Sequence, residues 1–258
     1  MIKVDVGKIR DLAFVGAPCS SSEILPYDKP TMNNVLNGTL KTRDWLESQI
    51  VSSATYDGSI SFIMTQGDES KKDHATSFRK VAEDVLKKPQ ALFDLYDMQA
   101  SDDDKTALEK ICLFESDIGF FSAAYTMAEA HSHKTYYQHF DLGNPFEGPL
   151  KKDQFASHTW DIVALLGAFE AQLRPELTEV IKRWREKIID YVIDGTAPCA
   201  SFSEEQRALL VTQKEVKEVS RKDYLEGRRE KLLELAENEG GRDLMWEGVC
   251  RRWLMKGE

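Results

Sequence analysis

The clearest pattern along the chain is Thr135-Tyr-Tyr-Gln-His-Phe-Asp-Leu142, an alternating aromatic run that predicts a buried β-strand over 135–140. It empties into a Gly/Pro loop, Gly143-Asn-Pro-Phe146, which leads to Ser157-His158-Thr-Trp-Asp161 and an apolar helix over Ile162–Phe169. A second strand-to-loop unit, Ser61-Phe-Ile-Met-Thr-Gln-Gly-Asp-Glu69, predicts a strand over Ser61–Thr65 that ends in carboxylates, with Tyr56-Asp-Gly58 as the turn before it. Ala208–Val211 is a short apolar run of strand type.

Helical spacing of apolar positions fills most of the remainder. Thr31–Leu36 and Thr42–Val51 are short candidates parted by Asn37-Gly38, the second with Trp45, Leu46 and Ile50 on one face. Phe78, Val81, Val85 and Leu86 set a helix from about Ser70 to Lys88; Leu92–Tyr96, Leu108–Phe114 and Ile118–Ala130 follow. Pro175 opens the strongest stripe, Val180, Ile181, Trp184, Ile188, Tyr191 and Val192, which Gly195-Thr-Ala-Pro198 ends. Asp223–Ala236 reads as a charged helix, and residues 1–30, broken by Gly16-Ala-Pro18 and Leu25-Pro26, as irregular. Strands alternating with helices predict an α/β layer architecture.

Composition narrows the partners. The chain of 258 residues is 41% hydrophobic, enough for a sizeable core, and carries 44 acidic against 34 basic residues for a net charge of -10. Phosphate backbones and anionic bilayers are repelled on average, which argues against nucleic acid and membrane surfaces as partners. No apolar run approaches the length of a membrane span. Met1–Arg10 lacks a signal-peptide core, so a genuine start at Met1 implies a cytoplasmic protein, and the sequon Asn37-Gly-Thr39 matters only in a secreted one. Cys19, Cys112, Cys199 and Cys250 show no metal-type spacing and allow two disulfides or none.

His158 is the sharpest candidate for chemistry. A general base sits on a loop fixed by a strand, beside a group that holds its tautomer; the plainer reading is a half-buried histidine at a helix start, with Ser157 as the cap. Glu69, with Asp68 as its rival, is the candidate orienting acid, although both also complement the positive end of the helix that follows. His131, His133 and His139 admit a zinc reading whose spacing fits no standard motif, and His74 reads as a solvated helix residue. Ser20–Ser22 lack the small flanking residues of a nucleophile elbow, and GxSxG, an HGGG-type loop, a Walker loop and a dinucleotide glycine motif are absent from the sequence. No cofactor is expected.

Four segments, in order, resemble the carboxylesterase type B family of α/β-hydrolases, the cholinesterase and fungal lipase group. Gly67-Asp-Glu-Ser70 is similar to the family's Asp-Glu-Gly motif, and Asp117-Ile-Gly-Phe120 to its Asp-x-x-Phe helix. Tyr136-Tyr-Gln-His-Phe140 resembles the strand before the catalytic histidine, and Gln154-Phe-Ala-Ser-His-Thr-Trp-Asp161 the segment in which an acid follows that histidine at +3. The helix around Trp184 and its Gly195-Thr-Ala-Pro198 turn resemble the family's terminal helix. Ser70 stands where the family usually has glycine.

The resemblance is strongest over 67–167 and implies that 1–258 is the carboxyl-terminal portion of such a domain, a partial α/β-hydrolase fold without its nucleophile half. It implies Glu69 as triad acid and His158 as general base of a Ser-Glu-His carboxylic-ester hydrolase. The attacking serine and oxyanion glycines are missing from these residues, so little activity is expected from the chain alone. A small-molecule carboxylic ester is the expected substrate once a nucleophile half is supplied, and self-association through an exposed sheet edge is expected of a half sheet. The alternative is a non-catalytic binding module on a degenerate hydrolase fold.

Overall fold

The computed structural model describes residues 32–39, 47–66, 72–130, 133–225 and 227–255. Among them, one sheet of four strands has the order β1-β2-β3-β4: β1 Ser48–Ala54, β2 Lys134–Asp141, β3 Arg207–Thr212 and β4 Val216–Ser220. β1, β2 and β3 run parallel, and β4 folds back antiparallel on β3. β1 and β2 pair along their whole length, from Ser48 opposite Lys134 to Ala54 opposite Phe140. The protein is therefore a mixed α/β structure, as the alternation of elements predicts.

Both faces of the sheet are covered, so every β2 residue from Thr135 to Phe140 is buried although only alternate ones share a face. Tyr136 and Phe140 join Ala54, Leu209 and Val211 on one face; Tyr137 joins Val51 and Ala208 on the other. The helices are α1 Met32–Leu36, α2 Ser59–Gln66, α3 His74–Val85, α4 Pro89–Leu95, α5 Asp104–Glu115, α6 Ser122–Ala130, α7 Trp160–Leu165, α8 Pro175–Asp194, α9 Phe202–Glu205, α10 Arg221–Leu225 and α11 Arg228–Glu239. A C-terminal run follows, with α12 Arg242–Leu244, a π-helical segment Met245–Arg251 and α13 Arg252–Leu254.

α8 covers the first face. Leu177, Val180, Ile181, Trp184 and Ile188 recur every three or four residues and are buried against the sheet, each contributing about 1.5–3 kcal/mol. Trp184 also donates its indole N–H to the Gln138 side-chain oxygen at 3.0 Å, satisfying a polar group that the strand buries. Pro175 starts the helix, and Gly195, at φ 76°, caps it by donating to the Tyr191 carbonyl. α6, α9 and α10 supply Tyr125, Phe202 and Tyr224 to the opposite face.

The third cluster is helix on helix. Phe78, Leu92, Phe93, Phe114, Trp246 and Trp253 lie within it, contributed by α3, α4, α5 and the C-terminal run. α5 and α6 are joined without a break by a π-helical turn, Ser116–Phe121. At Gly119 a Cβ would come within 2.5 Å of the Trp246 ring, so only glycine lets these elements approach.

Several elements differ from the sequence expectation. The strand expected over Ser61–Thr65 is the helix α2, which buries Ser59, Phe62 and Thr65 and leaves Ile63 and Met64 exposed. A short apolar run has no period long enough to separate the two states, and the turn at Asp57-Gly58 starts a helix. The end of the expected helix Thr42–Val51 belongs to β1 from Ser48; residues 41–46 lie outside the described ones. The helix after His158 begins at Trp160 and stops at Leu165, where a turn leaves Phe169 at φ 61°. The charged helix over Asp223–Ala236 is divided by Gly227, at φ 91°, into α10 and α11. β4 has no counterpart in the sequence reading, because its Val-Lys-Glu-Val-Ser pattern is mostly polar and half-buried. Residues 1–30 lie outside the described ones.

Candidate functional site

Two loops leave the carboxyl ends of the neighbouring parallel strands β1 and β2, and they remain zipped together beyond the sheet. The Thr55 N–H donates to the Phe140 carbonyl at 3.1 Å, the Tyr56 N–H donates to the Ala156 carbonyl at 3.0 Å, and Tyr56 bridges Ser157 in parallel fashion. The loop after β2 folds onto itself between Asn144 and Phe155, with the Asn144 N–H on the Phe155 carbonyl at 2.8 Å. A Cβ at Gly143 would collide with the Asp153 carbonyl, so a side chain there would push this loop away. The Asn144 amide then donates to the Ser157 hydroxyl at 3.0 Å, the residue before His158.

This zipper sets His158 against the first turn of α2. Its backbone N–H donates to the Ser59 hydroxyl at 2.7 Å, and its ring Nδ1 meets Asp57 Oδ1 at 3.2 Å. The other carboxylate oxygen, Oδ2, accepts from the Ala54 N–H at 2.9 Å, so Asp57 is anchored to the end of β1 while it faces the ring. A carboxylate accepts, so the proton sits on Nδ1 and the Nε2 lone pair is left free of any hydrogen bond among the described residues. The His158 side chain is 33% exposed and that of Asp57 12%. The edge of the Phe120 ring packs on the imidazole at 5.7 Å between centroids. The hydrogen bond to Asp57 raises the His158 pKa above the usual histidine value, against the opposing effect of burial, and the Asp57, Asp161 and Glu115 charges add to it.

Two further carboxyl groups belong to the same neighbourhood. Asp161, at the start of α7, accepts from the Ile162 N–H at 2.9 Å, and burial together with the Asp57 charge raises its pKa. Glu115, the last residue of α5, is buried; its Oε1 accepts from the Ser61 hydroxyl at 2.8 Å. Burial pushes its carboxyl up to about 7.

Of the residues singled out from sequence, His158 stands in this cluster, while Glu69 and Asp68 lie outside the described residues. The carboxylate that the structure brings to the histidine is Asp57, which the sequence pattern marks only as part of the Tyr56-Asp-Gly58 turn. Its signal was available: an Asp-Gly pair directly after a strand, followed by a helix. Gly58 has a physical reason too, since a Cβ there would collide with the Cys112 carbonyl of α5.

His139 is elsewhere, on the face of β2 that packs on α10 and α11. Arg229 can only donate, so His139 Nε2 accepts from it at 2.7 Å and the Nδ1 proton is directed to the Ser53 hydroxyl at 3.2 Å. Burial and the Arg229 charge hold its pKa well below the usual histidine value. Both ring nitrogens are engaged, His133 is exposed and His131 lies outside the described residues, so the three do not converge as the zinc reading requires. Among the described residues, no group of three His, Cys, Asp or Glu side chains is placed to hold a metal ion. His74 is buried rather than solvated, edge-on to Trp253 at 5.8 Å. No helix among the described residues is long and apolar enough to cross a membrane.

No protein-family model matches the sequence, and no curated protein matches it. Among solved structures, the chain is similar to two structures of a PNB esterase, each at 15% identity and a TM-score of 0.48, over 71% of this chain and 37% of that one. The chain thus spans little more than a third of the length of that protein.

Proposed function

We propose that this chain carries the acid–base part of a serine-type carboxylic-ester hydrolase of partial α/β-hydrolase fold, with His158 as general base and Asp57 as the acid that orients it. The observation that carries the reading is the His158–Asp57 pair at 3.2 Å, placed by loops at the carboxyl ends of adjacent parallel strands. A carboxylate on Nδ1 leaves Nε2 unprotonated, the tautomer that takes a proton from a serine hydroxyl, and stabilises the imidazolium formed. The carboxyl edge of an α/β sheet is where such sites assemble. No nucleophile elbow occurs in the sequence, so the attacking serine is assigned to a segment or chain that joins this one; the substrate is a small carboxylic ester.

The geometry favours Asp57 over Glu69 as the acid, because Nδ1 has one proton to give and Asp57 holds it. The test is hydrolysis of p-nitrophenyl esters by the natural gene product that contains this sequence. His158→Ala and Asp57→Asn each lower kcat/KM by about a thousandfold or more, and Glu69→Gln leaves it within about threefold. Equal rates in the parent and His158→Ala would overturn the proposal. The 258-residue chain alone is expected to take no fluorophosphonate adduct by intact mass; an adduct lost in His158→Ala would place the nucleophile within these residues.

A further inference from the structure

One group near the histidine has no part in the acid–base pair. Glu115 closes α5, and its neighbour Ser116 accepts from the Gly58 N–H at 2.8 Å, which pins the end of that helix to the Asp57-Gly58 turn. The next turn of chain then touches both partners. Ser59 accepts from the His158 backbone, and Ser61, two residues on, donates to Glu115 Oε1 at 2.8 Å. Glu115 Oε2 is buried and has no hydrogen-bond partner among the described residues, an expensive arrangement for an ionised carboxylate.

We propose that Glu115 is a positioning residue for His158: the turn from Asp57 to Ser61 holds its carboxyl beside the acid–histidine pair, and the charge on that carboxyl sets how firmly the imidazole keeps its proton. The inference rests on the reading of His158 as the base. The groups that face Glu115 are named by their elements. Asp57 and Tyr56 come from the loop after β1, His158 from the loop after β2, Cys112 from α5 itself and Cys250 from the C-terminal run. Asp161 at the start of α7 acts on the same histidine. The His158 charge in turn favours the ionised form of Glu115. With its carboxyl pushed up to about 7, Glu115 changes charge in the neutral range, and the His158 and Glu115 charges act on each other, so the two titrate as a coupled pair. Below that range a neutral Glu115 lets the imidazole release its proton readily; above it the new negative charge holds the proton back.

The experiment is an NMR titration of the His158 ring in the 258-residue chain, assigned by its loss in His158→Ala. Glu115→Gln keeps the shape and the acceptor for Ser61. It is expected to lower the His158 midpoint by about half a pH unit or more and to turn a broadened titration into a single step. Ser61→Ala removes a donor that favours the ionised carboxyl, and is expected to move the midpoint the same way by less; it serves if Glu115→Gln does not fold. An unchanged midpoint in the folded variants overturns the inference. Asp57→Asn separates the two claims. A midpoint that falls in Asp57→Asn but not in Glu115→Gln removes the role of Glu115 and leaves the acid–histidine pair standing; no movement in either removes both.

Discussion

At the scale of single residues, the site depends on which atom each side chain offers. Asp57 gives one oxygen to the end of β1 and one to His158, so Asp57→Asn keeps the shape and removes the charge. Its amide leaves the ring free to choose the wrong tautomer, and the His158 pKa is expected to fall toward the ordinary value, a change that an NMR titration reads directly. On the proposed role of His158 as general base, activity is expected to decline as pH falls through its raised pKa, because the base must be neutral. Gly58→Ala tests the packing beneath the pair. The added methyl meets the Cys112 carbonyl, a backbone atom that cannot step aside, and a loss of about 1–3 kcal/mol is expected in urea unfolding. His158 was legible from its place between an aromatic strand and a helix. Asp57 was not, because an Asp-Gly pair is the commonest sign of a plain turn, and only the register of β1 against β2 brings it opposite the histidine.

At the scale of elements, the join between α5 and α6 holds a buried charge. Asp117, 1% exposed, accepts from Arg228 Nε at 2.5 Å and from the Tyr96 hydroxyl at 2.9 Å, with Arg229 3.8 Å away. Arg229 lies 5.0 Å from the ring centres of both Phe121 and Tyr224. The turn therefore fastens α11 to the sheet layer, and its π-helical form accommodates the residues that do so. Asp117→Ala is expected to cost about 3–5 kcal/mol in chemical denaturation, since it strands two arginines, whereas a surface carboxylate would cost under one. The sequence pattern showed two separate helices here, Leu108–Phe114 and Ile118–Ala130; the residues between them, Glu115, Ser116 and Asp117, are helical as well and all buried. Val192, placed on the α8 stripe by spacing, is 74% exposed, but the rest of the helix was readable, since Val180 to Ile188, its proline and its glycine agree. The partner of Trp184 was not, and Trp184→Phe is expected to destabilise by about 1–3 kcal/mol by orphaning the Gln138 oxygen.

At the scale of the whole molecule, two buried groups shape stability against pH in opposite directions. The Glu115 carboxyl is raised from 4.5 to about 7, so the folded state holds a proton there that the unfolded chain releases first. Stability from this group is complete below about 4.5, declines as pH rises to about 7, and the loss is about 3 kcal/mol. His139 is depressed below 6.5, so its contribution is present above 6.5 and is lost as pH falls toward the folded value. Glu115→Gln is expected to flatten the alkaline side of the profile in urea melts between pH 4 and 8, leaving the acid side in place. The exposed Ile63 and Met64 of α2, Ile162 of α7 and Leu166 just after it lie on or at the end of the two helices that flank His158. The isolated chain is expected to self-associate, with Met64→Lys and Leu166→Lys shifting sedimentation toward the monomer. The α/β class was legible because strand and helix signals alternate, but the exposed apolar residues were not, since a sequence pattern does not say which apolar side chains remain uncovered.

The thiols distributed through the core clusters give the molecule its own clocks. Cys112 and Cys250 are unpaired and buried together in the helical cluster, and Cys199 is unpaired and buried in the cluster beneath α8. Burial pushes all three away from the reactive thiolate, Cys199 to about 12, so a maleimide reaches them only when their surroundings open. Alkylation followed peptide by peptide therefore times the opening of the layer that bears the acid–histidine turn separately from the layer that α8 seals.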